Sequence, residues 1–398
     1  MTQKASRMEH IQAHFFADYS EKIISRGALG HDVIRLDIGS PDMPPAPQIL
    51  DHFKQWIDQP DVYGYQSHRG TDKLRQAWAD MYLREFNVSL DPKDEVMPLL
   101  GSKEGIFHLM LALIDTDDVV LVPDPSYPTY MSGVCFAGGR PFALPLLVEN
   151  DFLPNLADIP KDIARRAKVI WLNYPNNPTA SVASLAFFAE AVEFCREFDL
   201  LLCHDAAYSQ VTYDNYQAPS ILQIPGAKNV AVEFNSLSKS HNMAGMRVGA
   251  CVGNPDILAH LHKLKSNVDS SHFLPTMAAV AFALTADQTW IKQRNEIYRE
   301  RRDVIVNNLI ALGLSVTPPL GSLYVWSAIP ARWTSMEFAD LLLETADISV
   351  TPGSVFGQHG EGYIRISLTS PVERITEAMQ RFTDFWVGEN APHSIDKG

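Results

Sequence analysis

The stretch "VAVEFNSLSKSHNMAGMRVGACVG", residues 230–253, sets a single lysine between two short apolar runs. Lys239 is flanked by Ser236, Ser238 and Ser240, and Arg247 follows eight positions on, with Gly245 and Gly249 beside it. A lysine on a solvated face keeps company with other charges at helical spacing, whereas this one has hydroxyls and apolar neighbours. That setting suits a buried amine at the mouth of a buried strand.

Working outward, four more apolar runs precede it: "VMPLL" from residue 96, "VVLVP" from 119, "KVIWLN" from 168 and "LLLCHD" from 200. Between them "KEGIFHLMLALID" and "SLAFFAEAVEFCREF" place apolar residues three and four apart, the helical period. Strand and helix alternating in this way specify an α/β fold with a mostly parallel sheet covered on both faces. The rhythm changes after about residue 285. A long charged helix, "QTWIKQRNEIYRERRDVIVNNLIALG", leads to the strand-like "GSLYVW", a helix near "SMEFADLLLETA" and the strand "YIRISL". The expected organisation is a large sheet domain, residues 50–285, and a smaller α+β domain built from residues 1–49 and 286–398. The proline-rich "GSPDMPPAPQIL", residues 39–50, reads as a rigid connector between them.

The bulk numbers fit this division. A chain of 398 residues with 46% hydrophobic and 20% charged side chains supports one large core and a second smaller one. A formal net charge of −14 argues against sequence-independent nucleic-acid binding, which needs clustered cations. Cys135, Cys195, Cys203 and Cys251 form no C-x-x-C pair and no regular framework, and His260 and His262 read as ordinary helix histidines; no metal is expected. The N-terminus has no continuous apolar segment, and "PTMAAVAFALTA" is too short to cross a bilayer, so the expected location is the cytoplasm, with no membrane partner.

In an open α/β sheet ligands bind beyond the carboxyl ends of the strands, and polar residues follow each apolar run here. After "VMPLL" comes "GSKEG", where Gly101 permits close approach and Ser102 can cap a helix whose free N–H groups would face an anion. After "KVIWL" comes "NYPNNPTA" with Asn177, and after "LLLC" comes "HDAAY" with Asp205 and Tyr208. A carboxylate at the mouth of an apolar strand needs a cation or several donors. Each motif taken singly is matched by a bland alternative: a helix start, a turn, a packed aromatic, a strand arginine paired to a surface acid.

Taken in order, the motifs "IGSPD" with Gly39, "YGYQSHRG" with Tyr65, "GSKEG", "PDPSYPTY", "NYPNNPT", "HDAAY", "SLSKSHNMAGMRVG" and "YIRISL" with Arg365 resemble the class I and II aminotransferases. These are pyridoxal-phosphate-dependent enzymes of fold type I, whose large domain carries a mostly parallel seven-stranded sheet. The resemblance covers essentially the whole chain. It implies a role for each residue. Lys239 would join the cofactor aldehyde covalently and, once released by substrate, move protons at the substrate α-carbon. Asp205 would pair with the pyridine nitrogen, Asn177 and Tyr208 would bond the ring's phenolic oxygen, and Tyr127 would stack on the ring. Ser102, the Lys103 backbone, Ser236, Ser238 and Arg247 would hold the phosphate, joined by Tyr65 from the second subunit of a homodimer with shared sites. Gly39, Asn177 and Arg365 would meet the substrate, Arg365 by clamping its α-carboxylate.

Two departures stand out. Ala180 occupies a turn position where many relatives carry glycine, which matters if that backbone needs positive φ. Tyr127 stands where the aspartate-specific branch uses tryptophan, and the flanking stretches resemble the branch containing LL-diaminopimelate and alanine aminotransferases. The expected activity is ping-pong transamination between an L-amino acid and a 2-oxo acid, with glutamate and 2-oxoglutarate as one pair and LL-diaminopimelate or alanine supplying the other amino acid. Aspartate or another amino acid is an alternative donor. A C–S lyase on the same scaffold is a second enzymatic alternative, and a cofactor-sensing regulator is disfavoured by the acidic balance and by the early position of "IGSPD".

Overall fold

The computed structural model describes residues 15–390, together with Ala5 and Met8. In chain order the strands are β1 (Ile34–Arg35), β2 (Val96–Leu99), β3 (Val119–Asp124), β4 (Arg140–Pro145), β5 (Ala167–Asn173) and β6 (Leu201–Asp205). They continue with β7 (Ala231–Ser236), β8 (Gly249–Gly253), β9 (Tyr324–Ala328), β10 (Ile348–Ser349), β11 (Thr351–Pro352) and β12 (Tyr363–Ser367). Seven of them form one sheet in the order β2-β8-β7-β6-β5-β3-β4, in which only β8 runs against its neighbours.

The period of two along the strands explains why both faces are covered. On β5, Val169 and Trp171 pack with Met110, Tyr130 and Phe234 on one side, while Ile170 and Leu172 pack with Phe188, Val192 and Leu202 on the other. Helices close each face, and their ends are written in the sequence. The helix Leu185–Phe198 starts at Ser184, whose hydroxyl accepts from the Phe187 N–H at 3.2 Å, and stops at Asp199 in left-handed backbone.

Six of the seven strands coincide with the apolar runs. The seventh, β4, carries two prolines and an arginine and is largely accessible; it lies at the sheet edge, where a missing N–H breaks no ladder.

A third core gathers Ile34 and Leu36 with Tyr298, Ile305, Leu309, Phe338, Ile364 and Phe382. Around it lie the antiparallel sheet β11-β12-β9 and the short parallel pair β1-β10, which ties Ile34 to Ile348. The helix Ser335–Ala346 here opens with a capping box between Thr334 and Glu337. The long helix Thr289–Ala311 is less solvated than its charge suggests. Its Arg301 forks onto the Asp42 carboxylate at 2.8 and 2.9 Å, and its buried Arg294 donates to the backbone carbonyls of Lys239, Ser240 and Gln210. This helix therefore braces the backbone that carries Lys239.

Candidate active site

A cavity of about 650 Å³ opens at the carboxyl ends of β5, β6 and β7. The cavity wall includes Gly39, Ser102, Lys103, Tyr127, Asn177, Asp205, Tyr208, Ser236, Ser238, Lys239, Arg247 and Arg365, so twelve of the thirteen candidate side chains converge. Tyr65 does not: its side chain is 94% exposed and stands outside the cavity.

One end of the cavity is built for an anion. The helix Ser102–Leu113 begins after Gly101, so Ser102 is its first residue and not the expected cap, and no side chain caps its first N–H groups. Gly101 has φ 85°, and a Cβ there would run into the Arg247 guanidinium. Arg247 donates to the Ala244 carbonyl at 2.9 Å and to the Ser238 hydroxyl at 3.4 Å, and the Ser236 hydroxyl accepts from the Ser238 N–H at 3.3 Å. Neither Arg247 nor Lys103 has a carboxylate partner among the described residues, and burial, with Arg247 beside it, holds the Lys103 amine below the ordinary lysine range. Behind this turn the Glu104 carboxylate accepts from the Leu100 N–H at 3.1 Å and pairs with the fully buried Lys265, which Asp269 also binds at 2.8 Å. Glu104, His108 and Asp269 lie close enough to share a metal ion, but the Lys265 ammonium already supplies their positive partner.

At the cavity floor, register places Asn173 beside Asp205. Asp205 is buried, accepting from the Tyr130 hydroxyl at 2.8 Å and from the Ala207 N–H at 3.1 Å, with no cation in ion-pair contact among the described residues. Burial pushes this carboxyl above its usual range, against the donors that would lower it. A positive partner brought into the cavity would favour the charged form.

Lys239 faces that carboxylate across the cavity. Its Nζ donates to the Gly39 carbonyl at 2.5 Å, and burial holds its pKa below the ordinary lysine value. Arg365 lies on the opposite wall, donating to Asn177 Oδ1 at 2.8 Å and to the Asp37 carbonyl at 2.8 Å. Its guanidinium is sandwiched 4.1 Å from the Tyr324 ring and 4.6 Å from the Phe356 ring. Asn177 is fixed in turn by Asn173, whose Oδ1 accepts the Asn177 N–H at 2.8 Å. Tyr208 shares a hydroxyl–hydroxyl bond of 2.9 Å with Tyr324. Tyr127 is half-buried, edge-on to Tyr130.

Sequence reasoning passed over Tyr130, Asn173, Tyr324 and Phe356. Tyr130 lies within "PDPSYPTY" and Tyr324 within "GSLYVW", where an aromatic among apolar residues reads as core packing.

The donor set suits a phosphorylated pyridine aldehyde: a cationic cradle at one end, a buried carboxylate with no ion-pair partner among the described residues at the other, and a lysine amine of lowered pKa facing both. A half-buried lysine just past the end of one strand of a seven-stranded sheet with a single reversed strand, set against this cradle, defines a fold type I pyridoxal-phosphate enzyme. The chain belongs to the aminotransferase class I and II family, whose model matches residues 31–382. It is 46% identical over 379 residues to an LL-diaminopimelate aminotransferase of Moorella thermoacetica, covering 95% of this chain and 97% of that one. It is 45% identical over 383 residues to LL-diaminopimelate aminotransferase 2 of Trichormus variabilis, covering 96% and 98%. Among solved structures it is similar to substrate-bound BacF from Bacillus subtilis, with a TM-score of 0.93, 34% identity and coverage of 96% and 98%. The protein is a pyridoxal-phosphate-dependent aminotransferase. Among the described residues no helix is long and apolar enough to cross a membrane.

Proposed function

We propose that this aminotransferase moves the amino group of LL-diaminopimelate to 2-oxoglutarate, releasing glutamate. The observation that carries the chemistry is the half-buried Lys239 amine, bonded to a neutral carbonyl and held below its ordinary pKa by desolvation. The donor is supported by the two LL-diaminopimelate aminotransferases, alike over nearly the whole chain. The oxo acid rests on the resemblance alone.

When bound, the cofactor supplies an electron-withdrawing ring that stabilises negative charge at the substrate α-carbon. The chain's own residues do the rest. Lys239, in its neutral form, takes the proton from the α-carbon and serves as the covalent anchor between turnovers. Asp205 holds positive charge at the ring nitrogen. Ser102, the Lys103 backbone, Ser236, Ser238 and Arg247 grip the phosphate with charge-assisted hydrogen bonds. Asn177 and Tyr208 donate to the ring oxygen and Tyr127 covers the ring face. Arg365 keeps a planar donor fork for the substrate carboxylate, with Asn177 and Gly39 completing that end.

The same reading divides the chain into a large domain at 50–285 and a small one from 1–49 and 286–398. It places the enzyme in the cytoplasm as a homodimer whose Tyr65 reaches the partner's phosphate cradle. The 94% exposure of Tyr65 in the single chain fits a side chain awaiting such a contact. Mixing subunits that carry Lys239→Ala with subunits that carry Tyr65→Ala tests this. Hybrids regain about half the wild-type activity if Tyr65 acts across the interface, and no more than the Tyr65→Ala parent if it acts within its own chain.

The substrate assignment is tested with a panel of amino donors, LL-diaminopimelate, alanine and aspartate, each given 2-oxoglutarate while glutamate is followed. LL-diaminopimelate should give the highest kcat/KM. Equal or better turnover of alanine or aspartate would overturn the donor while leaving the aminotransferase chemistry intact.

A further inference from the structure

Tyr324 has two contacts that the reaction described so far does not use. It stands at the first position of β9, and its hydroxyl meets the Tyr208 hydroxyl at 2.9 Å. Its ring face lies 4.1 Å from the Arg365 guanidinium carbon. It is 3% exposed, and its hydroxyl end fills the space above Gly39, where a Cβ would collide with it. A single side chain thus touches the carboxylate clamp, the tyrosine proposed to face the cofactor's ring oxygen, and the glycine whose carbonyl receives Lys239.

Both hydroxyls of the pair are competent donors. Each phenol owns one proton, and the contact at 2.9 Å consumes one of the two. Among the described residues Tyr208 is the hydrogen-bond partner of the Tyr324 hydroxyl. Tyr208 has one proton, and if that proton goes to the cofactor's ring oxygen, as proposed above, Tyr324 must be the donor to Tyr208. The charged and titratable groups facing the pair are Lys239, Arg365 and Asp205, none of which takes either proton in a hydrogen bond.

We infer that Tyr324 is a positioning residue that acts through two neighbours: its hydroxyl donates to Tyr208 and turns the Tyr208 proton toward the cofactor, and its ring seats Arg365 for the substrate carboxylate. Donation to one oxygen of a phenol polarises its own O–H, so Tyr208 becomes the stronger donor. A donor to the ring oxygen favours the anionic form of that oxygen and lowers its pKa. The inference rests on the placement of Tyr208 proposed above.

The test is a pH titration of the visible absorbance of the cofactor-loaded enzyme, run on wild type, Tyr208→Phe, Tyr324→Phe and the double variant. Tyr208→Phe should raise the midpoint, and Tyr324→Phe should raise it in the same direction by a smaller amount. The double variant should shift by less than the sum of the two single variants, because the relay from Tyr324 runs through Tyr208. Amino-donor KM is measured alongside. Tyr324→Phe keeps the ring under Arg365 and should hold KM within about twofold, whereas Tyr324→Leu should raise KM roughly 3- to 30-fold through loss of the cation–π face. A midpoint unmoved by Tyr324→Phe but raised by Tyr208→Phe would overturn the hydroxyl relay, as would shifts that add in the double variant. An unchanged KM in Tyr324→Leu would overturn the seating of Arg365. A midpoint unmoved by Tyr208→Phe would remove the placement of Tyr208 and the inference with it.

Discussion

Lys239 Nζ donates to the carbonyl oxygen of Gly39 at 2.5 Å, across 200 positions of sequence. The acceptor is neutral. A carboxylate at that place would have held the amine as an ammonium, whereas a carbonyl orients it and leaves burial to lower its pKa. The amine is thereby both aimed and ready to act as a nucleophile and base.

That geometry makes Gly39 a sensitive position. A Cβ on Gly39 would collide with the hydroxyl end of Tyr324, so the segment must move and carry the carbonyl with it. Gly39→Ala is expected to lower kcat/KM by roughly 10- to 100-fold, the usual result of misplacing a reacting group by about 1 Å. Steady-state kinetics with a thermal melt checks it; a full-rate enzyme would show that the segment yields freely.

Asp205 should matter for its charge. Asp205→Asn keeps the size and still accepts from Tyr130, but removes the anion that balances a ring cation. The half-reaction with amino donor, followed by stopped-flow absorbance, is expected to slow at least about 100-fold, in line with loss of one preorganised electrostatic contact. An unchanged half-reaction would place the ring's counter-charge elsewhere.

Ala180 holds φ 58°, the left-handed region, at the turn position where glycine was the alternative. An L-residue is strained there by about 1–2 kcal/mol, against the greater unfolded freedom of glycine and one lost buried methyl. Ala180→Gly is expected to escape the usual loss of about 1 kcal/mol for such a change and to leave stability equal or up by about 0.5 kcal/mol. Urea denaturation measures it. A loss of 1 kcal/mol or more would mean that the turn does not carry the strain.

His241 gives the fold an acid limit. It is fully buried against Trp290, and burial lowers its pKa from 6.5 to about 3. The unfolded chain therefore binds a proton below pH 6.5 that the folded chain refuses, so stability falls as pH falls through that window. At about pH 5 the loss is roughly 2 kcal/mol, from 1.36 kcal/mol per pH unit. His241→Gln should flatten this part of the stability–pH curve, measured by urea denaturation; an unaltered slope would assign the acid sensitivity to other groups.

Legibility followed the physics of each element. Buried strands declare themselves by uninterrupted apolar residues, and the polar residues just past their ends marked most of the cavity. Strand β4 escaped because an edge strand need not be apolar, and β1 and β10 because two residues carry no period. Arg294 and Arg301 were hidden in a helix that reads as solvated, since nothing local says which face meets carbonyls and Asp42. Tyr130 and Tyr324 were hidden differently: their rings belong to the core, and only the third dimension shows their hydroxyls reaching Asp205 and Tyr208.

In the proposed function Lys239 drives transamination of LL-diaminopimelate in this cavity. The most direct measurement is glutamate formation from LL-diaminopimelate and 2-oxoglutarate by cofactor-loaded wild type and Lys239→Ala, with cofactor retention read from absorbance. The expected result is steady turnover by wild type and a loss of at least about 10²- to 10⁴-fold in Lys239→Ala, which still binds cofactor without a covalent bond. Turnover by Lys239→Ala at the wild-type rate, or wild type inert toward LL-diaminopimelate, would contradict the account.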